Sequence, residues 1–166
     1  MAATFNWAQS NGAGETATDL GASGNLFNFK SADDATAANY TSNPIVAGEN
    51  SYEVFLRAHF TGTFNQIDNL QFWMSTNFSP ATGLAVKWEG DSVTYATPVA
   101  TTSSIATTNV PTSDPGTANV SIGDSLAGNL SEAGYSDYIV LQLQTTTSAA
   151  AGDTSLAVFT LQYDEQ

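Results

Sequence analysis

The chain has 166 residues, with 16 Asp and Glu against three Lys and Arg, a formal net charge of -13, one histidine and no cysteine. That inventory excludes a phosphate-gripping nucleic-acid surface, which needs clustered cations, and it leaves thiolate chemistry and multi-histidine metal sites without residues to build them. Charged residues make up 11% of the chain, against roughly 25% in an average soluble domain, so hydroxyls and amides must cover most of the surface.

The same shortage of cations argues against an anionic membrane surface. No apolar run approaches the ~20 residues of a membrane span. The opening Met1-Ala-Ala-Thr-Phe-Asn6 lacks the charged and apolar regions of a signal peptide, so synthesis and folding in a cytosol is the expectation. A chain without cysteine fits a reducing compartment. Hydrophobic residues at 42% are enough for one domain with one core.

In chain order, Thr4 to Gln9 reads as an opening strand, Asn11-Gly12 and Gly21 to Gly24 as turns, and Asn25 to Lys30 as a short alternating stretch. Ser31 to Asn39 is Ala-rich and compatible with about one helical turn. Residues 1–50, weakly patterned and rich in Gly and Ala, are expected to form an N-terminal arm and edge segment of the same domain. Phe5, Trp7, Leu26, Phe27 and Phe29 are its apolar contact residues.

Residues 51–166 are expected to form the body. From Tyr52 to Phe60 the chain alternates, with Tyr52, Val54, Leu56, Ala58 and Phe60 on one face and Glu53, Phe55, Arg57 and His59 on the other. Leu70 to Met74 and Leu84 to Trp88 continue the pattern, and Glu89 to Ser92 turns the chain into Val93-Thr-Tyr95. Pro98 to Pro115 is a Thr-, Ser- and Pro-rich loop with at most one short strand around Ile105. Asn119 to Ile122 reads as another strand. Tyr138 to Gln144 and Leu156 to Tyr163, joined by a bend at Ala149 to Asp153, read as antiparallel neighbours at the centre of a sheet. Val54, Leu56, Phe72, Val86, Ile139, Leu141, Phe159 and Leu161 are the expected core. No internal repeat is visible. Many short strands with turns between them and no long helix point to an all-β chain, an antiparallel two-sheet β-sandwich of immunoglobulin-like or jelly-roll connectivity. Tyr135 or Tyr138, just ahead of the penultimate strand, is positioned for a tyrosine corner.

The motifs point away from catalysis. Gly123-Asp-Ser-Leu126 spells the signature of the GDSL esterases, but here it lies late in an all-β chain, and the only histidine, His59, is far upstream. No catalytic residue and no enzymatic activity are expected. The acidic pairs Asp33-Asp34, Glu89-x-Asp91 and Asp164-Glu165 do not form the loop of alternating acids that calcium uses, so no metal ion and no cofactor are expected. Among Trp7, Trp73 and Trp88, Trp73 is the candidate exposed aromatic, a platform of the kind on which sugars stack; a core or interface role is the plainer reading. Four Asn-x-Ser/Thr sequons, at Asn39, Asn77, Asn119 and Asn129, are what chance supplies in a chain so rich in these residues.

Three stretches look familiar. They are Asn43-Pro-Ile with Gly48 to Glu53 and Phe60 to Asn69, then Ala133 to Gln144, and finally Phe159 to Glu165. Together they resemble segments of small accessory virion proteins of tailed bacteriophages, over residues 25–166. The resemblance implies a capsid decoration (cement) protein, made in the host bacterial cytoplasm and bound on the virion to the major capsid protein lattice, as a single copy or a trimer. It implies no catalytic residues. The alternatives are a carbohydrate-binding β-sandwich module and another surface or tail structural domain.

Overall fold

The computed structural model describes residues 2–24, 27–35 and 41–166. It has no α-helix among them. Nine strands run in the order β1 (Ala3–Asn11), β2 (Thr16–Gly21), β3 (Val54–Gly62), β4 (Ile67–Thr76), β5 (Leu84–Glu89), β6 (Thr108–Asn109), β7 (Gly134–Tyr135), β8 (Ile139–Thr145) and β9 (Val158–Glu165). All pairings are antiparallel. The larger sheet has the order β2-β1-β3-β8-β5-β6, with β7 also on β3, and the smaller is β4-β9. The chain is therefore an all-β, antiparallel two-sheet structure.

The alternation of β3 places its residues as the sequence suggests. Val54, Leu56, Ala58 and Phe60 enter the core between the sheets with Phe72, Val86, Ile139 and Leu141. The opposite face of β3 is also covered. Phe55 packs there with Val93, Ala106, Tyr138 and Val140. A strand buried on both faces must be apolar on both, as Val54-Phe-Leu56 and Ile139-Val-Leu141 are.

Several expectations need correction. The penultimate and last strands are not neighbours: β8 lies between β3 and β5, while β9 crosses to the other sheet and pairs with β4. Alternation reports which face of a strand is buried, not which strand lies beside it. Val93 to Tyr95, Ile105 and Asn119 to Ile122 are not strands. They are covering segments held by isolated backbone bonds, such as Asn119 N–H to Leu70 O at 3.0 Å. The proposed helical turn is absent from residues 31–35, and its remainder, 36–39, lies outside the described residues. Phe159 and Leu161 face the core but are only half-buried. Their strand is the rim of a two-stranded sheet, with nothing paired beyond it among the described residues. From Ala3 to Gly21 the expected arm is a hairpin integral to the larger sheet. Its inner strand pairs with β3 from Ala3↔Gly62 to Ser10↔Phe55. The aromatic pair Phe5 and Trp7, two residues apart, turns toward the core and draws the hairpin onto the sheet.

Candidate functional site

Two features stand out, one on each side of the larger sheet. The first is a polar layer on its outer face. Glu53 is buried, and its carboxylate accepts the Ser103 hydroxyl and the Val99 N–H, the latter at 3.2 Å. Gln142, fully buried, donates to the carbonyls of Ser51 (3.1 Å) and Thr101 (2.7 Å) and accepts from the Ser103 N–H (2.9 Å). A buried carboxylate and amide persist only when partnered, and these pin the 99–106 loop to the sheet.

Further along that face, Tyr138 donates to Glu15 Oε1 at 2.6 Å and lies 2.8 Å from Ser10 Oγ. Burial is the main reason its phenol pKa is raised, and the bond to Glu15 adds to it. Tyr95 donates to the Gly12 carbonyl at 2.5 Å, and burial pushes its pKa up to about 12. Asp33 accepts the Gly12 N–H at 2.9 Å, yet its pKa is raised, because desolvation outweighs that bond. The Arg57 guanidinium sits 4.7 Å from the Tyr135 ring and 4.8 Å from the Tyr138 ring, and its Nε donates to the Ser136 carbonyl. His59 stacks on Tyr135 at 4.1 Å. The Tyr138 hydroxyl thus bonds side chains from the N-terminal hairpin, and Tyr135 lies flat on His59. Neither makes the return bond to nearby backbone that defines a tyrosine corner.

The second feature is a cavity of about 990 Å³ at one end of the sandwich. It enters where β4, β5, β8 and β9 meet their connections. Its inner wall is Trp7, Leu56, Phe72 and Leu143, all buried, and Phe27, Phe29 and Phe159 stand along its side. Phe27 and Phe29 pack edge-on at 5.8 Å, and Phe27 lies 5.6 Å from Phe159. The rim carries Val46, Leu156 and Val158, which are 67%, 66% and 48% exposed. Gly83 stands at the same end, where an added Cβ would lie 2.6 Å from the Ala149 backbone nitrogen, so this close approach requires glycine. The smaller sheet has two strands against seven in the larger, and the cavity lies where connections rather than strands close this end of the sandwich. The cavity opens to solvent at its exposed rim. The space therefore holds water or a guest.

The residues expected at an arm are in part brought together here. Trp7, 8% exposed, and the half-buried Phe27 and Phe29 line the cavity, while Phe5 lies deeper along β1 against Phe60 and Tyr163. Leu26 lies outside the described residues. Trp73 is half-buried, with its backbone opposite Thr160 and its flanking residues Phe72 and Met74 in the core. Ser125 and His59 are not brought into a dyad. Ser125 Oγ accepts the Ala127 N–H at 3.2 Å, and the Ser125 carbonyl accepts from Ile122 and Gly128. The Gly-Asp-Ser-Leu segment is a tight loop closed at Gly128, where a Cβ would fall 1.9 Å from the Ile122 carbonyl oxygen. Glu53 and Arg57 do not pair with each other. Asn119 spends its amide on both backbone groups of Phe72, at 2.7 and 2.9 Å. Asn39 lies outside the described residues. Among the described residues no three His, Cys, Asp or Glu side chains cluster as metal ligands, and no helix is long and apolar enough to cross a membrane.

Sequence reasoning missed the Glu53–Ser103–Gln142 layer and the cavity. The layer had a signal, since Glu53 and Gln142 interrupt otherwise apolar strands. The cavity had a weaker one in the small residues Ala149-Ala-Ala151, which leave space beside Leu84 and Phe159. No family model, no characterised protein and no solved structure matches this chain.

Proposed function

We propose that the chain is a non-enzymatic structural protein of a phage virion, a capsid decoration protein that docks on the major capsid protein lattice, as a single copy or as a trimer. One observation carries the manner of docking: all three basic side chains are engaged within the fold. Lys30 is 4% exposed and paired with Asp34 at 2.5 Å, Arg57 is held against Tyr135 and Tyr138, and Lys87 donates to Asn109 at 2.8 Å. The surface left for a partner is acidic, hydroxylated and in places apolar. Such a surface adheres through apolar contact and backbone hydrogen bonds, while its charge keeps decorated particles apart. The virion assignment itself rests on the resemblance of Phe60 to Asn69 and of Ala133 to Gln144 to phage accessory proteins.

The carbohydrate-binding alternative needs a ring face free for a sugar. Tyr135 is stacked on His59 and touched by Arg57, whereas Trp73 is half-buried, so this alternative rests on Trp73. The test is to purify virions from cells that encode the chain and locate it by mass spectrometry and cryo-EM. The chain is expected on the lattice in symmetric copies and is expected to survive a molar salt wash. Its absence from purified particles overturns the virion assignment. Its release by salt overturns non-ionic docking.

A further inference from the structure

We infer that the cavity at the end of the sandwich is a binding site for a single-chain amphiphile with a neutral or cationic head group. The apolar chain lies between the sheets against Leu56, Phe72 and Leu143, and the head sits at the rim beside Asp153. The inference is independent of the virion assignment.

Three observations lead to it. The volume, about 990 Å³, is at the top of the roughly 300–1,000 Å³ range of ligand sites. The inner wall is apolar and aromatic, so water inside it lacks partners and is released when an apolar chain enters. Charge then selects the head group. Among the described residues of the wall no Lys, Arg or His appears, and Asp153, exposed at the rim, is the one ionisable side chain. A carboxylate or sulfate head would meet Asp153 and a chain of net charge -13 with no cation to compensate it, whereas an alcohol finds the Thr154 and Ser155 hydroxyls and an ammonium finds Asp153.

The experiment uses the full chain and the neutral dye phenylnaphthylamine, which brightens in apolar sites. It is displaced in turn by dodecanol, dodecyltrimethylammonium and ionised laurate, each kept below its micelle concentration. Dodecanol and the ammonium are expected to displace the dye, and laurate about tenfold less well, the size of a single screened charge contact. Methyl NMR is expected to move Leu56, Leu143 and Val158, and to leave Val99 and Val140 on the far side of the larger sheet still. Asp153→Lys, a substitution at an exposed loop position, is expected to invert the preference between laurate and the ammonium. No dye uptake by the wild-type chain overturns the inference, as does displacement with shifts centred on Val99 and Val140. Equal binding of laurate, or an order unchanged in Asp153→Lys, overturns the head-group assignment.

Discussion

Asn119 is expected to act as a substitute strand, and its loss should be costly. On the edge of β4 away from β9 no strand pairs among the described residues, yet the core residue Phe72 lies there. The Asn119 side chain meets both of its backbone groups, accepting the Phe72 N–H at 2.7 Å and donating to the Phe72 carbonyl at 2.9 Å. Phe72 itself stacks on Phe159 with ring centroids 5.8 Å apart and packs against Trp7 and Trp88. Replacing Asn119 by Ala leaves one donor and one acceptor unmade beside the core. Each unmade group costs about 1–3 kcal/mol, and water entering the vacated space recovers part of that, so the net loss should be about 2–4 kcal/mol. With a urea slope of about 2 kcal/mol per molar, the unfolding midpoint should fall by about 1–2 M, read by tryptophan fluorescence at unchanged slope. Asn119→Asp gives a sharper test. One carboxylate oxygen still accepts from Phe72, but the other faces its carbonyl, so the variant should be destabilised at neutral pH. The carbonyl raises the folded pKa of this carboxyl above the ordinary value of about 4, so stability should return as the pH falls through that raised value and be fully restored below about 4, where the protonated acid again donates. An Asn119→Ala midpoint within about 0.5 kcal/mol of wild type, the range of an inert surface change, would refute the strand-substitute argument.

Leu141 is fully buried between Val54 and Trp88, so Leu141→Ala should cost about 2–5 kcal/mol in the same assay; an unchanged midpoint would mean that its facing is wrong. Asp33 has a raised pKa because its burial penalises the charge, so its ionised form costs stability as the pH rises through the folded value. Asp33→Asn keeps an oxygen for the Gly12 N–H and should therefore be more stable than wild type at neutral pH, with the gain vanishing in acid where Asp33 is protonated; a loss of stability at neutral pH would contradict this. The phenols of Tyr95, Tyr138 and Tyr163 all have raised pKa values, that of Tyr95 about 12, mainly through burial. The folded state holds these protons more tightly than the unfolded chain, so stability should be level below about pH 10 and fall above it. Tyr95→Phe should flatten that alkaline limb, and an alkaline limb of undiminished slope in this variant would remove Tyr95 from the account.

The strands were legible where burial is one-sided or complete. Leu56 to Phe60 alternates because Leu56, Ala58 and Phe60 meet the core while Arg57 and His59 stay half-buried, and Val140 and Leu141 lie in a continuous apolar run because β8 is covered on both sides. Partnership was not legible, since β8 and β9 carry equally good patterns and only the assembled fold sends one to each sheet. The N-terminal hairpin was undervalued for a physical reason: β2 is an edge strand, exposed from Thr16 to Asp19, and so has the polar composition of an arm. Its neighbour β1 held the contrary signal in Phe5 and Trp7, on one face two residues apart. Ser103 and Ala106 are buried without any period because side-chain hydrogen bonds of Ser103 with Glu53 and Gln142, rather than a ladder, hold their segment down. The apolar residues of the cavity were visible as such, and three of them were grouped as contact residues, but a concave arrangement depends on how connections close one end of two sheets, which no local pattern encodes.

The same structure gives a reason for the scarcity of cations. Each of the three ties a covering segment to the framework: Lys30 holds the turn at Asp34, Arg57 holds the stretch from Tyr135 to Tyr138, and Lys87 on β5 meets Asn109 of β6. Lys30, buried against Asp34, has its charge neutralised within the fold, while Arg57 and Lys87 are half-buried and already hold partners in the chain. The acids are spent differently. Glu53, Asp33 and Glu15 take hydrogen bonds from Ser103, Gly12 and Tyr138, while Asp153, Asp164 and Glu165 remain exposed. The charge that reaches solvent is therefore almost wholly negative, and a chain of this kind selects its contacts by exclusion. Anionic surfaces are repelled, and apolar or hydrogen-bonding surfaces are tolerated. The cavity rim, with Val46, Leu156 and Val158 standing around a single carboxylate, follows the same rule on the scale of a small molecule.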